Sequence, residues 1–133
     1  MCLGDCTLDK KIFQNTLLEV YIMLCKLHEK EHLAIEKMQK IIEEGKEIVE
    51  EDLIKISSSI KLKFKSKKVD YEFIENLKLP FIAQNNDGSY ILVGKTDKEK
   101  ILRYCPQLKQ NGIVVKEEFL LNWNNRILLV TDK

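Results

Sequence analysis

The sequence predicts an α+β domain in which helices pack on one face of a mostly antiparallel sheet. Two observations support this fold class. In the first 60 residues, apolar side chains recur at helical spacing, whereas after residue 60 they alternate or run continuously, as they do in strands. Turn-forming residues then divide the second half into short segments. Helices and strands that are separated along the chain are typical of α+β folds rather than of alternating α/β folds.

Composition indicates one globular domain over residues 1–133. The chain is 44% hydrophobic and 32% charged, a balance that allows a soluble domain with a sizeable core. Its 22 Lys and Arg nearly cancel its 21 Asp and Glu, so no net field attracts nucleic acid. No apolar run is long enough for a signal peptide or a membrane span. We therefore expect a cytosolic, reduced protein.

The first predicted helix spans residues 8–30 and has two candidate starts. Thr7 would cap one long helix. Thr16 followed by Glu19 has the capping-box pattern, which would start a shorter helix and leave residues 1–14 as a flexible N-terminal arm. The sequence leaves both starts open.

Two further helices complete the N-terminal half. The second spans residues 34–44 and ends at Gly45, a residue that suits the left-handed conformation after a helix. The third spans residues 50–59 and begins with acidic residues, which the helix dipole favours in a first turn.

A β-hairpin over residues 77–95 is the predicted centre of the sheet. Both arms are nearly continuous in apolar residues, which indicates that they are covered on two faces. Pro80 opens the first arm, and residues 85–88 tolerate the positive φ of a tight turn.

The other strands and short helices are recognised by their period and by the turns between them. Residues 60–64 alternate with lysines, as expected of an edge strand whose cations block pairing with another chain. The remaining elements are short helices at 70–76 and 116–122 and strands at 100–105, 113–115 and 126–131. Their aromatic and apolar residues are interpreted as core: Tyr71, Phe73, Ile74, Tyr104, Phe119 and Trp123.

Cysteine and histidine placement predicts no metal and no cofactor. The four cysteines form no CxxC pair, so neither a zinc site nor a disulfide framework is expected. They are Cys2, Cys6, Cys25 and Cys105. His28 and His32 are four residues apart at the end of the first helix and are expected on one face of it, but no carboxylate or cysteine clearly accompanies them. We interpret them as a surface pair.

Three segments and the order of the elements before them resemble the peptidase C39 family. The segments are LPFIAQNNDGSYILVGK, KILRYCPQ and EEFLLNWNNRILLVTDK, and they follow three helices, a strand and a short helix. The resemblance covers residues 15–133. It is stronger to the inactive C39-like domain of type I secretion ABC transporters of the haemolysin-exporter kind. It implies a papain-like fold.

The resemblance also implies four catalytic positions, all of which are substituted here. Active members are cysteine proteases that cut a leader after a double glycine, and they carry a Gln, an Asp-Cys pair, a His and an Asp-Pro pair. The Gln, Cys, His and Asp positions fall on Lys10, Thr16, Tyr90 and Cys105. The resemblance thus implies that Thr16, Tyr90 and Cys105 converge around one shallow site. A thiolate needs an imidazole to activate it and a carboxylate to orient that imidazole. We therefore expect an inactive protease homologue.

What the resemblance implies instead is a non-catalytic domain that docks an unfolded secretion substrate. Such domains lie on the cytoplasmic side of the bacterial inner membrane, in toxin and protein exporters whose ATP-binding and membrane parts lie elsewhere in the parent transporter. Candidate substrate-binding residues are Gln84, Asn85, Asn86, Tyr90 and Tyr104.

Two alternatives remain open. Asp5-Cys6 repeats the Asp-Cys dipeptide, so the chain would be an active leader peptidase of the bacteriocin-exporter type that uses Cys6. Against this, Cys6 lies 22 residues before His28 and no histidine follows the hairpin. Alternatively, the chain would be a regulatory domain that contacts the nucleotide-binding domain of the parent transporter.

Overall fold

A six-stranded antiparallel sheet runs through the part of the chain that the computed structural model describes, residues 6–46, 48–77, 79–106 and 109–132, with side chains described from Thr16 to Thr131. Five helices accompany it in these ranges: α1 (Cys6–Leu27), α2 (Glu31–Glu43), α3 (Glu50–Ser59), α4 (Tyr71–Glu75) and α5 (Lys116–Asn122). The strands are β1 (Leu62–Lys68), β2 (Phe81–Asn85), β3 (Tyr90–Thr96), β4 (Lys100–Cys105), β5 (Gln110–Val115) and β6 (Trp123–Asp132).

The strand order is β1-β6-β2-β3-β4-β5, which confirms that the β2–β3 hairpin is central. Its register pairs Phe81 with Val93 and Gln84 with Tyr90. At the turn, Gly88 takes a φ of +92°, a conformation that costs little only for glycine. The Asp87 carboxylate accepts a hydrogen bond from the Ser89 backbone N–H at 2.9 Å and fixes the turn.

The three N-terminal helices pack on one face of the antiparallel sheet, as predicted, but the short helices α4 and α5 cover the other face. The expectation that all helices lie on one face is therefore wrong. The helices α1, α2 and α3 enclose a core cluster with residues such as Ile82, Tyr90 and Leu128. The short helices α4 and α5 cover the opposite face, where alternate strand residues such as Ala83 and Ile91 point. The reason is visible in the hairpin: its continuous apolar arms present apolar side chains to both faces, and each face needs a cover.

The helix α1 runs unbroken from Cys6 to Leu27, so the start at Thr16 is wrong. Thr16 lies inside the helix, where its side chain serves a distant strand rather than a cap. Residues 6–14 of the predicted arm are helical, and residues 1–5 lie outside the described part of the chain. A buried hydrogen bond of 2.7 Å between the hydroxyls of Tyr21 and Ser57 ties α1 to α3.

The two histidines do not share a helical face, contrary to the sequence interpretation. α1 ends at Leu27, and Glu29 takes a φ of +59° in the connection to α2. His28 therefore lies in this connection, with Nε2 at 3.2 Å from the Val130 carbonyl oxygen, whereas His32 is an exposed residue of α2.

Other boundaries shift by a few residues. Ile60 ends α3 rather than beginning a strand, and β5 and β6 each start three residues earlier than predicted. Phe73 is 38% exposed on α4, so its assignment to the core is wrong, whereas Phe119 and Trp123 are buried as expected. Among the described helices, none is both long and apolar enough to cross a membrane.

Candidate functional site

Five polar side chains form a connected group on the face of the sheet that α1, α2 and α3 cover, which we call the α1–α3 face, at the end where β3 begins. We call this group the Glu50 cluster; its members are Glu50, Gln84, Tyr90, Asn124 and Arg126. Glu50 is the first residue of α3, and the other four come from the central strands β2, β3 and β6. Alternation along each strand turns Gln84, Tyr90 and Arg126 toward the helices, because their neighbours Ala83, Ile91 and Ile127 pack on the opposite face.

Thr16 joins α1 to this group. Its side chain is buried, and its Oγ1 accepts a hydrogen bond of 3.1 Å from the backbone N–H of Tyr90. The two residues that the resemblance places at the nucleophile and base positions are therefore in direct contact, 74 residues apart in sequence.

The Glu50 carboxylate is the centre of the cluster. Its Oε2 accepts hydrogen bonds from the Tyr90 hydroxyl at 2.7 Å and from Arg126 Nη1 at 2.6 Å, and its Oε1 accepts another from Arg126 Nη2. A guanidinium that bonds both oxygens of one carboxylate is the stronger, geometrically specific form of ion pair. The side chains of Arg126 and Glu50 are only 33% and 22% exposed, so water screens this pair less than it screens a surface pair.

Gln84 extends the network to β6. Its amide Nε2 donates to the Tyr90 hydroxyl at 3.1 Å, and its Oε1 accepts from Asn124 Nδ2 at 2.8 Å. Arg126 closes the group, because its backbone N–H donates to Asn124 Oδ1 at 2.9 Å.

The electrostatics of the cluster fix the protonation of Tyr90 and Glu50. Burial, and then the Glu50 carboxylate beside it, raise the pKa of the Tyr90 hydroxyl, which therefore stays protonated. Burial alone would raise the pKa of Glu50, but the hydrogen bonds from Arg126 and Tyr90 outweigh it and leave that pKa below its usual value. The hydrogen bond to Glu50 raises the pKa of Arg126. A neutral phenol that donates to a carboxylate is not a base for a nucleophile.

Cys105 does not join Thr16 and Tyr90. It packs, half-buried, against the core cluster on the opposite face of the sheet. There it lines a cavity of about 260 Å³ between the hairpin turn and α5, together with Arg103, Ile91 and Phe119. The predicted convergence of Thr16, Tyr90 and Cys105 is therefore found for the first two residues only. Lys10, the fourth position, has no described side chain.

The candidate substrate-binding residues divide between the two faces. Gln84 and Tyr90 belong to the Glu50 cluster, whereas Asn85 and Asn86 line the opposite cavity. Asn86 also holds the turn to α5, since its backbone N–H donates to the Asn122 carbonyl oxygen at 2.6 Å.

Tyr104 lies on the α1–α3 face, packed against the core cluster that α1, α2 and α3 enclose. Its hydroxyl donates a hydrogen bond of 3.4 Å to Glu19 Oε1 of α1.

The comparison with known families decides the assignment. The sequence model of the Peptidase C39 family matches residues 14–133, nearly the whole chain. The chain belongs to the peptidase C39 family. No curated protein sequence matches it significantly.

Solved structures of C39 domains share the fold of this family member. A double glycine motif protease from an AMS/PCAT transporter, solved with its leader peptide, is 15% identical, with a TM-score of 0.57; the match covers 65% of this chain and 62% of that one. The N-terminal peptidase C39 like domain of a toxin secretion ATP-binding protein from Vibrio parahaemolyticus is 17% identical, with a TM-score of 0.56 and coverage of 65% and 71%. The peptidase domain of Streptococcus mutans ComA is 16% identical, with a TM-score of 0.52 and coverage of 62% and 74%. At these identities the likeness establishes the papain-like α+β fold. The chain thus spans less than two thirds of the AMS/PCAT structure.

Sequence reasoning missed three members of the cluster in this C39 domain: Glu50, Asn124 and Arg126. Glu50 had an adequate local explanation as an acidic residue in the first turn of a helix. The signal that was available is Arg126, a lone cation next to the apolar run Ile127 to Val130, because a charge beside a buried strand needs a partner.

Proposed function

We propose that this C39 domain is a non-catalytic docking domain that holds an unfolded secretion substrate for an ABC transporter. The observation that carries the proposal is that the contact between Thr16 and Tyr90 contains neither a thiol nor a base. Thr16 presents a hydroxyl where the family has a thiol, and Tyr90 presents a phenol whose proton is held by Glu50. Cys105 packs against the core on the other face of the sheet.

The geometry of α1 weighs against catalysis by Cys6. Cys6 and Thr16 lie in the same helix, ten residues apart, which corresponds to about 15 Å along the axis. A nucleophile and its base must lie within hydrogen-bond reach. Tyr90 bonds to Thr16, so a residue three turns away does not meet the family's base position.

Binding and cleavage assays test the proposal together. The probe for binding is a reduced, carboxymethylated secreted protein, which cannot fold, and the control is the same protein in its native disulfide-bonded form. We expect the domain to bind the unfolded form only and to leave a double-glycine leader peptide intact. Cleavage of that peptide by the wild-type chain, lost in Cys6→Ser, would overturn the proposal in favour of a peptidase.

A further inference from the structure

We propose that the free edge of β5 captures an extended segment of an unfolded polypeptide as an added strand. The inference rests on the proposed docking function and names the surface that performs it. Within the described residues, β5 is the last strand of the sheet and pairs only with β4. Its outward backbone N–H and C=O groups are thus available to a further strand, which is how sheet edges bind extended peptides.

The two edges of the sheet differ in how they treat a partner. The β1 edge carries four exposed lysines, Lys63, Lys65, Lys67 and Lys68. They crowd one another enough that Lys63 lowers the pKa of Lys65. Such charges block edge-to-edge pairing. By contrast, β5 reads QNGIVV and contains no charged residue, so this edge has no such block.

Apolar side chains accompany the free backbone of β5. Leu102 of β4 and Ile113 of β5 are directly opposite in the register and are 43% and 66% exposed, and Val115 on the same face is 53% exposed. Leu102 and Ile113 line a cavity of about 220 Å³ beside the edge. A pocket next to an open edge gives alternate side chains of an added strand a place to pack.

Charge around this cavity favours acidic residues in the bound segment. Lys95 and Lys100 line the cavity, and neither has a described carboxylate within ion-pair distance. Asp97 also lines it, and its Oδ1 accepts hydrogen bonds from the backbone N–H groups of Glu99 and Lys100, both at 2.8 Å. These hydrogen bonds, and then the charge of Lys100, lower the pKa of Asp97, so its negative charge offsets one of the two lysine charges and leaves the cavity net positive. We infer a segment that carries both apolar residues and Asp or Glu among the alternate side chains that face this cavity.

Two lysines that flank β5 disfavour a second copy of this chain as the occupant. Antiparallel pairing of two β5 strands, centred on the strand, places Lys109 of one copy beside Lys116 of the other at both ends. Like charges that face each other across strands are destabilising.

A backbone NMR titration with two short peptides tests the inference. The first peptide, of about eight residues, has Thr at every second position and Val and Glu in turn at the positions between, so that Val and Glu share one face; the second peptide has Lys in place of Glu. We expect the acidic peptide to shift the amide signals of Gln110–Val115 and to slow hydrogen exchange of alternate amides there. We expect Ile113→Lys to weaken its binding by about tenfold or more. The matched control is Ile42→Lys, an aliphatic residue of similar exposure on α2, which should bind as the wild type does.

The same variants with the unfolded secreted protein separate the two proposals. If that protein binds but leaves β5 unshifted and ignores Ile113→Lys, the edge inference is overturned and the docking function stands. If the acidic peptide binds at β5 and the unfolded protein does not bind, the docking function is overturned while β5 remains a peptide-binding edge. A concentration-dependent dimer that Ile113→Lys abolishes, without peptide binding, would overturn the choice of occupant.

Discussion

Replacing Glu50 with Ala should destabilise the fold by about 1.5–3 kcal/mol. Removing one partner of a fully buried ion pair costs about 3–5 kcal/mol. Here Arg126 and Glu50 retain 33% and 22% exposure, so water partly solvates the charge left behind and the cost falls below that range. The variant also leaves the Tyr90 hydroxyl without its 2.7 Å acceptor. For a domain of this size we expect the melting temperature to fall by about 5–10 °C.

Urea unfolding followed by circular dichroism measures this loss, with Glu51→Ala as the matched control. Glu51 is the exposed neighbour of Glu50 in the first turn of α3, so its replacement removes the same charge from the helix dipole. We expect it to change the free energy of unfolding by about 0.5 kcal/mol or less. Equal losses for the two variants would refute the conclusion that the Glu50 cluster holds α3 to the sheet.

Four further predictions follow from the contacts and the burial of individual side chains. Because the pKa of Glu50 is lowered on folding from its ordinary 4.5, the stability advantage of the wild type over Glu50→Gln should be complete above about pH 5 and be lost as the pH falls through the folded value; an advantage that grows in acid would contradict this. Thr16→Val, measured by urea unfolding, should cost about 1–3 kcal/mol because it leaves the Tyr90 N–H without its acceptor, whereas Thr16→Ser should cost clearly less. The double variant Thr16→Cys/Tyr90→His should show no detectable cleavage of a double-glycine peptide by mass spectrometry, because Cys105, at the position of the orienting Asp, lies on the other face of the sheet and Glu50 is held in its ion pair with Arg126. Cys25 is buried and its pKa is raised to about 11 by that burial, so at neutral pH iodoacetamide should alkylate it more slowly than the half-buried Cys105, in a comparison by peptide mapping.

The order of the elements was predictable from the sequence because it depends on local periodicity. The bounds predicted for α3, β4 and α5 agree with those observed, and the central hairpin follows from two apolar arms around a turn. The start of α1 was not predictable in the same way. Thr16 and Glu19 imitate a cap, but the Thr16 hydroxyl is used by Tyr90, and no local pattern reports a contact 74 residues away.

The Glu50 cluster was not predictable for the same reason, because it depends on contacts between residues that are far apart in the sequence. Glu50 and Arg126 are 76 residues apart. Each is explained adequately by its local sequence, Glu50 as an acidic residue in the first turn of a helix and Arg126 as the start of an apolar strand. Only the tertiary fold, which places the first residue of α3 beside β6 and the hairpin, brings them together. A half-buried ion pair that also holds a tyrosine hydroxyl is specific to this tertiary arrangement.

The placement of Cys105 shows that the chemistry of a site depends on which face of a strand each side chain occupies. Side chains alternate along β4, so Ile101, Arg103 and Cys105 face α5, and Tyr104 faces α1. The family resemblance assigned Cys105 through the Pro106 that follows it, which fixes the position in the chain but not the face. The residue that this end of β4 presents to the α1–α3 face is Tyr104, and its hydroxyl already donates a hydrogen bond to Glu19. A carboxylate introduced at position 105 would therefore enter the cavity beside Arg103 on the opposite face, out of reach of an imidazole at position 90.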